Sequence, residues 1–393
     1  MTNDNGQITN LQLGITTVSR IFINTARRFA YPFASVLSAG LGVPLRSISA
    51  MIAALQAVNV LGGLLGPLGD RFGYRRMMLA GMALLAGGML LGALLPVYFA
   101  VLVGLVIASL GKSVFDPAMQ AYIGLRVPYR RRGLAIGITE LSWAGSTIIG
   151  IPLVSVLIDR TDWRAPFWFL GIIGVLGIAA IAVTLPADNF QHHPAARVKY
   201  GLAWRTLFRS PLAVRVLGFV FFISLANDAL FVSYGVWLQS DFSLGVVALG
   251  MATGVIGAAE LLGESATVFL ADRIGLRRAL FGGVVLSTAG YALLPLIARS
   301  LPLALAGLFL VFISFEFTYV VGVSVFTEVL PSARSTMMGG VQAVAGVGRV
   351  FGALLGGLLW TVGGVAMVGS VAAAVSAAGV VVLFLGLRAA RVQ

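Results

Sequence analysis

Apolar stretches of about bilayer length alternate along the chain with short polar segments. The stretches 77–98, 101–110, 167–185 and 301–315 contain no charged side chain, and a helix needs ~20 such residues to cross a bilayer. Barrel strands would instead show ~10 residues of strict alternation, so the pattern predicts helices. Glycine, proline and charged residues divide the chain into twelve of them, predicted helices 1 to 12, at 11–38, 47–69, 76–95, 97–125, 133–158, 164–185, 213–239, 244–270, 277–298, 302–329, 336–360 and 364–388.

The composition indicates a protein that folds within a membrane. Hydrophobic residues make up 59% of the 393 residues and charged residues only 10%, whereas a soluble protein of this size needs far more surface charge. The formal charge of +13 lies in short loops, so no nucleic-acid partner is expected. No cysteine is present, and neither a P-loop nor a hydrolase triad is recognisable. We therefore predict no enzyme activity, no cofactor and no metal site.

Basic residues are distributed unequally between the two sides of the predicted helices. If both termini are cytoplasmic, eighteen Lys and Arg residues lie on that side, and four, Arg46, Arg160, Arg164 and Arg299, lie on the other. Cytoplasmic loops are enriched in Lys and Arg, so both termini are predicted to lie inside a cell that carries the chain in its inner or plasma membrane. The predicted organisation begins with a cytoplasmic N-terminal tail at 1–10 and a six-helix bundle at 11–185. A cytoplasmic linker at 186–212 joins it to a second six-helix bundle at 213–388, which a cytoplasmic C-terminal tail at 389–393 follows.

The two halves of the chain resemble each other. The segment after predicted helix 2 reads GPLGDRFGYRR, and 202 residues later the segment after predicted helix 8 reads VFLADRIGLRR. Asn24 and Tyr31 of helix 1 likewise recur in helix 7 as Asn227 and Tyr234, displaced by 203 residues. Two parallel copies of a helical bundle that enclose a central site are a known plan of membrane transporters.

These paired loops resemble the signature loop of the major facilitator superfamily, and the resemblance covers the whole chain. The second copy departs from the signature at Val268, where a glycine is usual. The residues that match the signature are, in the first copy, Gly66, Asp70, Arg71, Gly73 and Arg75, and, in the second copy, Asp272, Arg273, Gly275 and Arg277. The resemblance implies an all-α membrane protein of two pseudo-symmetric six-helix bundles. It also implies a monomeric secondary transporter that works by alternating access.

The signature loop is expected to act as a gate. An acid at the end of one helix can bind the free N–H groups and the positive end of another helix. The resemblance implies that Asp70 binds the start of helix 11, with Arg126 as a nearby cation. By pseudo-symmetry, Asp272 would face the start of helix 5, with Glu328 in the place of Arg126. The alternative is that these loops only set the topology through their arginines.

Polar side chains inside the predicted helices are the main candidates for a transport site, because such groups are costly in a membrane and usually line a cavity. Five of them share one face of helix 1 by their three-to-four-residue spacing. The candidates for the cavity are Arg20, Asn24, Arg27, Arg28, Tyr31, Lys112, Asp116, Asn227, Tyr234 and Arg349. Lys112 and Asp116 lie one turn apart and are expected to neutralise each other.

Four acids are candidates for carrying a coupling proton, because burial of a carboxyl group favours its neutral form. In order of preference they are Asp228, Glu260, Glu316 and Glu140. Asp228 and Glu260 are the most isolated from basic neighbours in the sequence. A structural hydrogen bond between helices is the alternative for each acid. The excess of cations in the first half leaves two roles open, namely pairing with acids of the second half or holding an anionic group of the cargo.

The first expectation for function is export of a small apolar or amphiphilic compound in exchange for protons. Import of an organic anion or nutrient is the second, because of the arginines in helix 1. A lipid or lysolipid carrier is the third, and a receptor or scaffold without transport activity is the alternative from another class. The expected partners are a small-molecule substrate, a coupling proton and membrane lipids. Helix 4 has Ile107 where drug/proton antiporters usually carry an arginine. The chain therefore lacks this arginine of the antiporter motif.

Overall fold

The computed structural model describes residues 8–127, 129–186, 205, 207–297, 299–326, 329–330 and 334–389. Every regular element within these ranges is a helix. The helices of the first half are α1 Asn10–Arg28, α2 Ala34–Leu41, α3 Leu45–Phe72, α4 Tyr74–Leu94, α5 Tyr98–Arg126, α6 Tyr129–Gly145, α7 Ile151–Arg160 and α8 Ala165–Thr184. Those of the second half are α9 Pro211–Phe242, α10 Val246–Ile274, α11 Leu276–Ile297, α12 Leu301–Phe326 and α13 Arg334–Ala389.

Two predicted helices are interrupted. Predicted helix 1 breaks at a turn over 29–33, which contains Pro32, and proline disfavours a continuous helix because it lacks a backbone N–H. Predicted helix 5 contains a π-helical turn, Ser146–Gly150, between α6 and α7. A Cβ at Gly150 would clash with the side chain of Thr25, so this turn packs directly on α1.

Predicted helices 11 and 12 form the two arms of α13. The backbone leaves the helical region only at Gly363 and Gly364 inside that element, so the predicted boundary between the two helices is confirmed to within a few residues. Gly364 has a φ of +57°, a conformation that glycine adopts without steric cost.

The repeat is also present in the backbone. Gly73 is the single residue between α3 and α4 and has a φ of +98°. Gly275 is the single residue between α10 and α11 and has a φ of +87°. Gly42 and Ser243 are left-handed residues that end α2 and α9, just before the second helix of each half. The sequence repeat therefore corresponds to equal chain reversals in the two halves.

Ser243 offers a test of this backbone geometry, because it is the one residue other than glycine with a positive φ in the described part of the chain. The left-handed region costs an L-residue about 1–2 kcal/mol. Ser243→Gly removes that cost but also makes the unfolded chain more flexible, which lowers stability. We therefore expect the free energy of unfolding to rise by up to about 1 kcal/mol. The matched reverse change, Gly42→Ser, should lower stability. A melting curve in detergent decides, and a lower melting temperature for Ser243→Gly would contradict the assignment.

The helices are consistent with the predicted twelve spans. Among the described residues, nine helices are long and apolar enough to cross a membrane, or ten if Ala34–Leu41 and Leu45–Val58, which meet at 116°, form one broken span. That count takes α13 once although it has two arms, and it omits α1, which carries three arginines. The large apolar side chains on the surface, such as Phe99, Leu125 and Val183, suit a lipid environment.

The chain packs as two compact units. Unit 1 comprises 1–44, 61–196 and 246–254, and unit 2 comprises 45–60, 197–245 and 255–393. The beginning of α3 thus packs with helices of the second half, and the beginning of α10 packs with helices of the first half. Both exchanges occur at equivalent positions of the repeat.

Candidate functional site

Arg20 is the centre of a buried ionic cluster in unit 1. It lies on α1 and is 5% exposed. Its Nε donates to Oδ1 of Asp116 at 3.1 Å. Its Nη1 donates to Oε1 of Glu140 at 2.8 Å and to the carbonyl of Thr139 at 3.0 Å. One guanidinium thus connects α1, α5 and α6, which the forked geometry of arginine permits.

Lys112 completes the cluster from the adjacent turn of α5. Its Nζ donates to Oδ2 of Asp116 at 2.5 Å and to Oδ1 of Asn24 at 2.6 Å, so the pairing expected for Lys112 and Asp116 is confirmed. Asn24 in turn donates to the Ser142 hydroxyl at 3.3 Å. Two cations and two carboxylates balance within this network, which is the condition under which charges are tolerated away from water.

Trp143 links the ionic cluster to the arginines at the end of α1. The Arg28 guanidinium lies 4.3 Å from the centre of the Trp143 ring, and Nζ of Lys112 lies 5.7 Å from it. Both distances are within the range of cation–π attraction. Arg27, Arg28 and Tyr31 are all buried, so the predicted polar face of α1 is turned towards the interior of the protein.

Asp228 is the central acid of unit 2. It lies in the middle of α9 and is 3% exposed. Its Oδ1 accepts a hydrogen bond from Nε2 of Gln56 at 3.0 Å, and its Oδ2 lies 3.7 Å from Nε of Arg349. The isolation of Asp228 from basic residues therefore holds only along the sequence, because α13 brings Arg349 to it.

The two residues matched to Asn24 and Tyr31 also lie inside unit 2. Asn227 accepts a hydrogen bond from the Tyr291 hydroxyl at 3.3 Å. Tyr234 is fully buried, and its ring centre lies 5.4 Å from that of Phe231. Both positions are thus held within the packed interior of the unit.

The other candidate coupling acids of unit 2 lie on α10 and α12. Glu260 is 5% exposed, and Glu316 is half-buried. A Cβ at Gly263 would lie 2.7 Å from the Ile313 carbonyl and 3.0 Å from Cβ of Glu316. This glycine allows α10 and α12 to approach closely at the level of these acids.

A stripe of glycines on α13 sets the position of Asp228. A Cβ at Gly352 would lie 2.5 Å from the Leu225 carbonyl and 2.9 Å from Cβ of Asp228. Glycines four residues before and after it, Gly348 and Gly356, likewise have the backbone of α9 where a Cβ would be. Close approach of α9 and α13 therefore requires small residues at these positions, and it brings Arg349 within reach of Asp228.

The described part of the predicted gate lies at the ends of α4 and α5. Gly73 provides the turn, Nη2 of Arg75 donates to the Ala182 carbonyl at 2.5 Å, and the Arg126 guanidinium lies 4.8 Å from the Tyr122 ring centre. The equivalent residues of the second half, Arg273, Gly275 and Arg277, are exposed. The surroundings of Gly66 and the side chains of Asp70, Arg71, Asp272 and Glu328 are outside what the structure describes, so their gating contacts stay a prediction.

Several site residues were not identified from the sequence. Gln56 is a neutral residue in an apolar helix, and nothing in its sequence surroundings indicates a partner 172 positions away. Ser142 and Trp143 were detectable in principle, since both lie within one turn of Glu140. Tyr291 has no candidate site residue within one turn of it in the sequence, so no local signal indicated it.

Comparison with known proteins supports the same fold. The sequence model of the Major Facilitator Superfamily matches residues 16–263 and 216–392. The MFS-type transporter YceJ of Bacillus subtilis (strain 168) is 27% identical over 295 residues, which cover 75% of each chain. The MFS-type transporter YwfA of the same organism is 27% identical over 344 residues, covering 85% of this chain and 82% of YwfA.

A solved structure agrees with these sequence relatives. The crystal structure of a POT family transporter in complex with 5-aminolevulinic acid superimposes with a TM-score of 0.76 at 15% identity, covering 94% of this chain and 95% of that one. The predicted fold class and family are both confirmed by these matches. The chain belongs to the major facilitator superfamily and is a multi-pass membrane transporter.

Proposed function

We propose that this transporter exports a small apolar or amphiphilic compound in exchange for protons, and that Asp228 carries the coupling proton. The observation that carries the proposal is the setting of the Asp228 carboxylate. It is nearly inaccessible to solvent, accepts a hydrogen bond from the Gln56 amide and lies 3.7 Å from Nε of Arg349. Alternating access about a central site, with both termini in the cytoplasm of an inner or plasma membrane, is part of the proposal.

Gln56 and Arg349 respond differently to a proton on Asp228. A direct charge-assisted N–H···O bond is ~2.7–2.9 Å long, whereas the approach of Arg349 at 3.7 Å depends mainly on the opposite charges. Protonation removes that attraction. Gln56 can still donate to the carbonyl oxygen of the neutral acid. Proton binding would thus weaken the link between Asp228 of α9 and Arg349 of α13 and leave the contact with Gln56 of α3, which is how proton occupancy could favour one conformation over another.

The acids of unit 1 are less suited to this role. Asp116 has cations within 3.1 Å on both oxygens, so its proton must compete with two close positive charges. Glu140 is paired with Arg20, and its side chain is 40% exposed. We assign to both a structural role in holding α1, α5 and α6 together. Glu260 and Glu316 are the next candidates for coupling.

We choose this cargo class because export of such compounds is frequent in the family, and the half-buried Trp143, whose ring adjoins two cationic side chains, supports the choice. Import of an organic anion is the second candidate. It is favoured by Arg27 and Arg28, which add two buried positive charges beside a network that is already balanced.

A growth assay distinguishes these functions. Cells carrying the wild type, Asp228→Asn or Asp241→Asn at matched membrane levels would be exposed to toxic cations, anions and neutral amphiphiles. Asp241 is a matched control because it is the exposed acid at the end of the same helix, α9. We expect the wild type and Asp241→Asn to protect against amphiphiles and Asp228→Asn to fall to the level of empty cells.

Two other outcomes would contradict the proposal. Protection against no compound class would remove the case for export, and protection by Asp228→Asn equal to that of the wild type would remove Asp228 as the coupling acid. Greater sensitivity to toxic organic anions in wild-type cells would instead support import.

A further inference from the structure

Unit 1 has an apolar groove on its outer surface. The groove has a volume of about 430 Å³ and is formed by α1, α4 and α8. Its lining includes Gly14, Val18, Phe22, Met82, Leu176 and Ala180. This volume is within the ~300–1,000 Å³ range of small-ligand sites, and none of the polar residues assigned to transport above lines it.

Exposed apolar side chains line the groove. Leu11, Val18 and Leu176 line it, and each is more than half exposed. Among the candidate spans of the described chain, α8 has the smallest buried share, 28%. Lipid chains are as apolar as these side chains, so an acyl chain suits a groove in which Asn10 and Ser19 are the two polar lining residues.

Positive charge lies at one end of the groove. Gln12 of α1 donates to the carbonyl of Thr184 at 2.8 Å, and Arg75 of α4 donates to the carbonyl of Ala182 at 2.5 Å. Both carbonyls belong to the last turn of α8, directly after the lining residue Ala180. Arg76 follows on α4 and is exposed. Arg75 at the end of the apolar groove, with Arg76 next to it in the sequence, supplies positive charge that complements a phosphate attached to an acyl chain.

We propose that this groove is a binding site for an anionic phospholipid, with one acyl chain along α1 and α8 and the phosphate at Arg75 and Arg76. The lipid is a bound structural ligand and is distinct from the transported compound. Specificity resides in the charged headgroup, because apolar contacts with the groove are similar to those that any lipid tail makes in the bilayer. Basic residues beside membrane helices attract anionic headgroups in the same way.

The test compares two glycines that lie on exposed helix faces. A Cβ at Gly14 or at Gly87 would meet no atom within 4 Å, so neither position excludes a side chain at its Cβ, but only Gly14 lines the groove. The purified full chain in detergent would be titrated with dioleoyl phosphatidylglycerol, dioleoyl phosphatidylcholine or free glycerol phosphate. A ligand that binds only the folded protein raises its melting temperature.

We expect phosphatidylglycerol to raise the melting temperature of the wild type and of Gly87→Leu more than phosphatidylcholine does, and glycerol phosphate to have no effect. Gly14→Leu should lose the added response, and Arg76→Gln should respond equally to the two lipids. Equal responses of the wild type to both lipids would overturn the proposal, and so would a full response of Gly14→Leu. If Gly14→Leu does not fold, the loss or retention of lipid selectivity in Arg76→Gln decides.

Discussion

Replacing Arg20 with methionine is expected to destabilise the protein by about 3–5 kcal/mol, because breaking a buried ionic network leaves its remaining charges uncompensated. Methionine preserves the apolar stem but removes all three donated hydrogen bonds. Asp116 would retain only Lys112, and Glu140 would lose its closest cation. The contacts between α1, α5 and α6 should therefore loosen together.

Thermal unfolding in detergent, followed by intrinsic fluorescence, measures this effect. Arg46→Met is the matched control, because Arg46 lies at the exposed beginning of α3. Its replacement should change stability by no more than about 0.5 kcal/mol, the usual limit for an exposed site. Equal melting temperatures for the two variants would show that the Arg20 cluster is not a stabilising element.

Gly352→Ala is expected to destabilise unit 2 and to reduce transport. The added methyl group would meet the Leu225 carbonyl and Cβ of Asp228, and overpacking of this kind costs about 1–3 kcal/mol. Relief of the clash requires α13 to move away from α9. That movement would also lengthen the approach of Arg349 to Asp228.

Gly339→Ala is the control for this change. It lies on the same helix, but a Cβ there would meet nothing within 4 Å, so only the gain in helix propensity of about 1 kcal/mol remains. We expect Gly339→Ala to be neutral or stabilising and fully active. If Gly352→Ala behaves in the same way, the close packing of α9 on α13 is wrong.

The positions of the helices could be predicted from the sequence because each span carries its own apolar signal. The chain reversals at Gly73 and Gly275 were predictable because the two loops share the pattern Asp-Arg-x-Gly-x-Arg-Arg. The interruptions were harder to predict. Pro32 lies near the end of a helix that continues after it as α2, and the π turn at Ser146–Gly150 packs against Thr25, which is distant in the sequence.

The candidate site was only partly predictable from the sequence. Lys112 and Asp116 are one turn apart, so their contact follows from helix geometry alone. The partners of Arg20 and Asp228 lie 96 to 172 positions away, and no local pattern indicates which distant helix supplies them. Isolation of an acid along the sequence was therefore a poor guide to its isolation in space, as Arg349 beside Asp228 demonstrates.

Proton movement in reconstituted vesicles tests the central claim most directly. Proteoliposomes would be loaded with the compound identified in the growth assay and with a pH-sensitive dye, and diluted into medium without the compound. The proposal predicts that the wild type acidifies the vesicle interior as the compound leaves. It also predicts that Asp228→Asn still exchanges the compound across the membrane but moves no protons. Efflux by the wild type without acidification, or unchanged acidification with Asp228→Asn, would contradict the account.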